Sequence, residues 1–171
     1  MIALVLLLTL AVSAAAANVV DGGTRGSNLT WTLDNEGTLT IDGTGEMYDY
    51  GYSSIPWYFY RASIKSVVIG NGVTSISDYA FYDCSGLTSV AIPDSVTSIG
   101  HSAFFGCSNL KFVYITDLSA WCKIKFNDDD ANPLYNEANL YINNVLGTDI
   151  TIPNDITTIE NYIFYGLGFT M

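Results

Sequence analysis

The chain has 171 residues, of which 17 are acidic and 6 basic, a formal net charge of −11. Such a balance repels phosphate backbones and argues against nucleic acid as a partner. A 49% hydrophobic share with 13% charged residues excludes wholesale disorder, and one histidine (His101) argues against His-dependent catalysis. Three cysteines, Cys84, Cys107 and Cys122, are too few for a disulfide scaffold and lie at no metal-site spacing.

Residues Met1 to Ala17 read MIALVLLLTLAVSAAAA, an apolar run ending in small residues that offer A-x-A cleavage. The expectation is a secretory signal peptide at 1–17, although no Lys or Arg precedes the run. A buried helix is the plainer alternative. A membrane anchor fits less well, because the run falls short of the ~20 residues that span a bilayer. No membrane span is expected after signal removal.

The segment 18–63 reads as an N-terminal β cap. Leu29, Trp31 and Leu33 alternate before Asp34-Asn35-Glu36-Gly37, and Leu39 and Ile41 alternate after it, which predicts a β-hairpin. Asn28-Leu29-Thr30 is a glycosylation sequon, meaningful only in a eukaryotic secretory route. Tyr48, Tyr50, Tyr52, Trp57, Tyr58, Phe59 and Tyr60 then crowd together. Such rings either stack on sugar faces or anchor an interface; alternatively they cover the open end of the repeats that begin at Ile64.

From Ile64 onward one pattern is written twice. IKSVVIGNGVTSISDYAFYDCSG (Ile64 to Gly86) precedes LTSVAIPDSVTSIGHSAFFGCSN (Leu87 to Asn109), two blocks of 23 residues with 11 identical positions. The skeleton L-x-x-V-x-I-P-x-x-V-x-x-I-x-x-x-A-F-x-x-C predicts a stacked repeat, since one unit cannot bury its own apolar face. Ser66–Ile69, Ser89–Ile92, Phe112–Ile115 and Asp149–Ile152 are predicted to form a parallel ladder. The A-F-x-x-C segments are predicted to turn back through one helical turn. Residues 116–146 read as an excursion from the third unit, with Leu140-Tyr141-Ile142 adding a strand and Asn143-Asn144 a tight turn with φ > 0. The last unit, GTDITIPNDITTIENYIFYGLGF, runs to Met171 without a polar cap and reads as an array cut short.

These blocks resemble the BspA-type leucine-rich repeats of bacterial and protist surface proteins, over about Ile64 to Phe169. GGTRGSNLTWTLDNEGTLTIDGTGEMYDY resembles the β segment often found ahead of such repeats, with Arg25 where a Cys is common. The resemblance implies a β-rich leucine-rich-repeat solenoid with short strands and short helical turns (64–171, about four units), exported or on the cell surface. It further implies a non-enzymatic protein-binding or adhesion module for host or matrix proteins. The alternative is a carbohydrate-binding module for cell-surface glycans, built on the aromatics at 48–60.

No catalytic or cofactor motif is present, and no cofactor or metal is expected. His101 holds a variable repeat position and reads as a solvated loop residue. Asn127-Asp128-Asp129-Asp130 can gather oxygen ligands for calcium but lacks EF-hand spacing, so a solvated loop is favoured. Cys84 and Cys107 share one repeat position. They are either small buried hydrophobes or a bridge across coils ~4.8 Å apart. Cys122, beside Trp121, reads as core.

Alternation along the strands places Val67, Ile69, Val90 and Ile92 inward. The outward columns are then Ser66, Ser89, Phe112, Asp149 and Val68, Ala91, Tyr114, Thr151. Phe112 and Tyr114 stand out among small and polar neighbours as interface anchors, and binding is expected at Phe112, Tyr114, Ser89, Ala91, Val68 and Thr151. The rival expectation, slightly favoured, is that the excursion folds over both rings.

Expressed with its native upstream codons, the protein is expected to show a mature terminus near Asn18 by N-terminal sequencing. An intact Met1 terminus in the cytosolic fraction refutes the signal peptide.

Overall fold

A computed structural model describes residues 18–24, 28–49 and 51–167. The segment expected as a signal peptide, together with Arg25 and Tyr50, lies outside them. Strands β1 (Val19–Thr24), β2 (Leu29–Asp34) and β3 (Thr38–Gly43) form an antiparallel meander. The predicted hairpin turn joins β2 to β3. Asp34 closes it, its carboxylate accepting from the Glu36 and Thr38 N–H groups at 2.9 and 2.8 Å, and Gly37 supplies the positive φ of 89°. Leu29, Trp31, Leu33, Leu39 and Ile41 alternate into the core as their period requires.

Numbering continues along the chain with β4 (Gly45–Glu46), β5 (Ser66–Ile69), β6 (Val73–Ile76), β7 (Ser89–Ala91) and β8 (Ser98–Ile99). β9 (Phe112–Ile115), β10 (Lys125–Phe126), β11 (Asn139–Ile142) and β12 (Val145–Leu146) complete the set. The meander hands over to a parallel ladder at β3. β3, β5, β7, β9 and β11 pair in sequence, so that Thr38, Ser66, Ser89, Phe112 and Asn139 stand side by side, with coils of 28, 23, 23 and 27 residues between them. The expected ladder of Ser66–Ile69, Ser89–Ile92 and Phe112–Ile115 is thus present and parallel, although β7 stops at Ala91, just ahead of Pro93.

The fourth expected rung is corrected. Asp149–Ile152 forms no strand; its place is taken by Asn139–Ile142. The chain then reverses at Asn143-Asn144, both left-handed (φ 51° and 64°), and β12 pairs antiparallel on β11. That hairpin occupies the edge that Asp149–Ile152 would have needed. Within residues 116–146 the strand expected at Leu140-Tyr141-Ile142 is present as part of β11. The segment begins as one more coil, with α1 (Leu118–Trp121) capped by Asp117, whose carboxylate accepts from Ser119 and Ala120 N–H.

A second sheet went unforeseen. β4, β6, β8 and β10 form a parallel four-stranded ladder on another side of the coils. The A-F-x-x-C segments make a third ladder, of hydrogen-bonded turns rather than helix. Tyr79, Phe81 and Asp83 N–H donate to the His101, Ala103 and Phe105 carbonyls of the next coil at 2.9, 2.9 and 2.7 Å. Two left-handed residues recur at fixed places in each turn: Tyr79, Ser102 and Tyr162 at the first, Asp83, Gly106 and Gly166 at the second.

Inside, Trp31, Trp57, Phe81 and Phe104 run as a column with ring centroids 5.7, 6.1 and 5.1 Å apart. Trp57 donates its indole N–H to the Ala80 carbonyl at 2.7 Å, and Trp121 donates to Ile163, the matching position of the last unit, at 3.2 Å. The fully buried Asn132 donates to the Tyr162 carbonyl and accepts from Leu134 N–H.

Phe104 is wholly buried in this column. Phe104→Ala is expected to lower stability in a urea melt by ~3–5 kcal/mol through the cavity it leaves. A loss under about 1 kcal/mol would show that the ring contributes little to the core.

Candidate functional site

Strand alternation and the observed register assign the outer face of the large sheet. One row runs Thr38, Ser66, Ser89, Phe112, Asn139 and the next Thr40, Val68, Ala91, Tyr114, Tyr141. Neither row carries a charged side chain, on a chain of net charge −11. The Ser66 hydroxyl donates to Thr38 Oγ1 at 3.2 Å along the first row. Of the expected binding residues, Phe112, Tyr114, Ser89, Ala91 and Val68 fall on this face together. Thr151 does not: it is exposed but belongs to the segment displaced by β12. Its place is filled by Tyr141, which sequence reasoning read as strand but did not set in the column, because the coil before it is four residues longer than the repeat.

Tyr141 makes the pair into a cluster of three. Ring centroids are 6.5 Å apart for Phe112–Tyr114, 6.0 Å for Phe112–Tyr141 and 5.2 Å for Tyr114–Tyr141. The favoured expectation, burial beneath 116–146, is overturned. That segment extends the sheet laterally instead of covering it, and Phe112 remains 38% exposed, with Tyr114 half-buried. A shallow groove borders the cluster where the strands end, with Ile69, Ile92 and Pro93 along it and Asp94, Asn143 and Asn144 at its rim. The Asp94 carboxylate accepts from the Thr116 hydroxyl at 2.5 Å.

The aromatics at 48–60 divide. Trp57 is core, Tyr58 and Tyr60 pack partly against it, and Phe59 and Tyr52 stay exposed. Tyr52 and Tyr58 share a hydroxyl hydrogen bond of 3.1 Å, which holds the Tyr52 phenol above its ordinary pKa. Covering the first repeat therefore falls to Trp57, through its stacking on Phe81.

His101 is half exposed and joins two coils. Its Nδ1 pairs with Asp128, and its ring stands edge-on to Tyr79 at 5.3 Å. The same carboxylate accepts from Ser102 and Ala131 N–H. Asp128 is thus committed to the backbone at the start of a 3₁₀ turn over Asp129–Ala131, which is why Asn127-Asp128-Asp129-Asp130 is ordered by its own chain. Burial, then the neighbouring Asp129 and Asp128, raises the Asp130 carboxyl. Among the described residues no three His, Cys, Asp or Glu side chains converge as metal ligands.

The three cysteines are free and buried. Burial pushes the Cys107 thiol up to about 12 and the Cys84 thiol well above its ordinary value. Cys107 Sγ donates to the Phe81 carbonyl at 3.1 Å.

A scan of protein-family models matches the BspA type leucine rich repeat region, in six copies, over residues 55–128 and 137–170. Among solved structures the chain is similar to a leucine-rich repeat protein from Eubacterium ventriosum, with 33% identity and a TM-score of 0.60. The likeness covers 85% of this chain and 36% of that one, so the chain spans about a third of that neighbour's length. No curated protein matches it.

Native protein is expected to resist a thiol-reactive maleimide at neutral pH and to label at all three cysteines in denaturant, because thiolate is the reactive form. Labelling of native Cys84 or Cys107 would contradict their burial. The unfolded chain releases the Cys107 proton near the ordinary 9.0 while the fold retains it to about 12. The unfolded state then binds fewer protons, and stability falls as pH rises through that window.

Proposed function

The chain belongs to the BspA-type leucine-rich repeat family, and on that premise we propose that it is a non-enzymatic protein-binding module of a secreted or surface protein. Among the described residues no helix is long and apolar enough to cross a membrane. The partners are host or matrix proteins, engaged through the outer face of the large sheet. The observation that carries this reading is the Phe112, Tyr114 and Tyr141 cluster, set in two rows free of charge.

The physical reason is desolvation. Burying a charge against a partner is costly unless it is paired, whereas Val and Ala gain on contact and a Ser or Thr hydroxyl costs far less than a charge and needs only one hydrogen bond. Exposed Tyr and Phe rings bury large area at low entropy cost and recur as interface anchors. The alternation that faces Val67 and Val90 inward faces these rings outward, so recognition and core packing draw on different residues of the same strands.

The test compares wild type with Phe112→Ser/Tyr141→Ser in pull-downs from host-cell surface and matrix proteins. Loss of a partner with an unchanged thermal melt supports the site. Retained binding, or a lowered melting temperature accounting for the loss, removes the face from the reading. Truncating an anchor ring at such a site costs about 2 kcal/mol or more of binding.

A further inference from the structure

The turn ladder carries a second aromatic surface, away from the sheet face and built from residues far apart in sequence. Tyr52 lies against Tyr58, Tyr82 and Tyr79, with centroids 5.5, 5.0 and 6.5 Å away. Tyr82 stacks on Phe105 at 5.1 Å, Tyr79 touches His101, and Phe59 stands edge-on to Tyr58 at 5.5 Å. Three of these rings are open to solvent, Phe59 at 88%, Tyr52 at 45% and Phe105 at 41%. Exposed rings joined in one patch, rather than scattered singly, are the kind of surface at which proteins interact.

Two observations identify what it takes. Carboxylates interleave with the rings: Asp78 and Asp83 bracket Tyr79 and Tyr82 on one turn, and Asp49 accepts from Asp78 N–H. The fold also contains one filled example of the arrangement. Arg61 places its guanidinium carbon 4.1 Å from the centre of the Tyr58 ring, with Nε 3.5 Å from the Asp83 carboxylate. A guanidinium between a ring face and a carboxylate satisfies both its quadrupole attraction and its charge.

We propose that this turn face is a docking surface for arginine-bearing segments of a partner protein, which repeat at neighbouring rings what Arg61 does at Tyr58. The chain's net charge of −11 draws such a segment in. A neutral glycan is the poorer match: it can stack on the open rings, as a guanidinium can, but it leaves the interleaved carboxylates without a charged partner.

Fluorescently labelled hexa-arginine and hexa-lysine are titrated by anisotropy at physiological salt, beside an array of neutral glycans. General attraction to an acidic protein treats the two peptides alike; ring contact favours arginine. Hexa-arginine is expected to bind ~5-fold tighter than hexa-lysine, and Tyr52→Ala/Phe59→Ala, which alters no charge, is expected to erase that preference. Phe59→Ala alone, at the most exposed ring, keeps the test independent of folding, and an unchanged circular-dichroism melt confirms this. Phe112→Ser, on the sheet face, is expected to leave the arginine preference intact. Equal affinities for the two peptides, a preference that survives the ring variants, its loss in Phe112→Ser, or binding confined to the glycans overturns the proposal.

Discussion

Every part of this molecule depends on one constraint: a coil cannot satisfy its own backbone. Each turn of the solenoid presents N–H and C=O groups along three sides; tight turns satisfy some within the coil, and the rest find partners on the coils above and below. The large sheet, the small sheet and the ladder of turns are three solutions to that one requirement, all in the same register. Residues 23 apart must therefore have the same backbone geometry. The left-handed positions show how strict this is, since Tyr79, Ser102 and Tyr162 adopt a conformation that non-glycine residues seldom take. A bond to a neighbouring coil holds each one: Tyr79 N–H donates to the His101 carbonyl, Ser102 N–H to the Asp128 carboxylate, and the Tyr162 carbonyl accepts from Asn132.

The same constraint explains the two tryptophans that interrupt the repeat. In a regular pair of coils the Ala103 carbonyl accepts from the Phe81 N–H of the coil before. Ahead of the first repeat and ahead of the last, the preceding coil has a different length and no backbone N–H in that place. There the indole N–H of Trp57 serves Ala80, and that of Trp121 serves Ile163, helped by the amide of Asn132. One side chain fills the cavity and satisfies the carbonyl together, which an aliphatic residue cannot do. Cap and inserted coil thus differ in sequence but meet the repeats with the same chemistry.

Because stacking consumes the backbone and the inward side chains, recognition is left to side chains on the outer faces. The two outer rows of the large sheet are uncharged and bear their rings at one end; the turn face is acidic and bears rings interleaved with carboxylates. They differ in the chemistry they present, and neither draws on a core position.

Strong periodicity was legible from the amino acids alone. The repeated block revealed the solenoid, the strands at Ser66, Ser89 and Phe112, the inward Val and Ile residues, and the hairpin at Asp34-Asn35-Glu36-Gly37. These are local patterns whose signal lies within a few residues. The second sheet escaped because its strands are two to four residues long, with apolar side chains three apart, as at Val73 and Ile76, rather than alternating. The fourth rung escaped because a coil of 27 residues shifts the pattern by four, and only the pairing of β9 with β11 shows where the chain re-enters the ladder. Tyr141 beside Tyr114, and Tyr52 beside Tyr82, are neighbours across coils. Their proximity is a matter of register between coils, and register is decided by hydrogen bonds that form only once the coils are stacked.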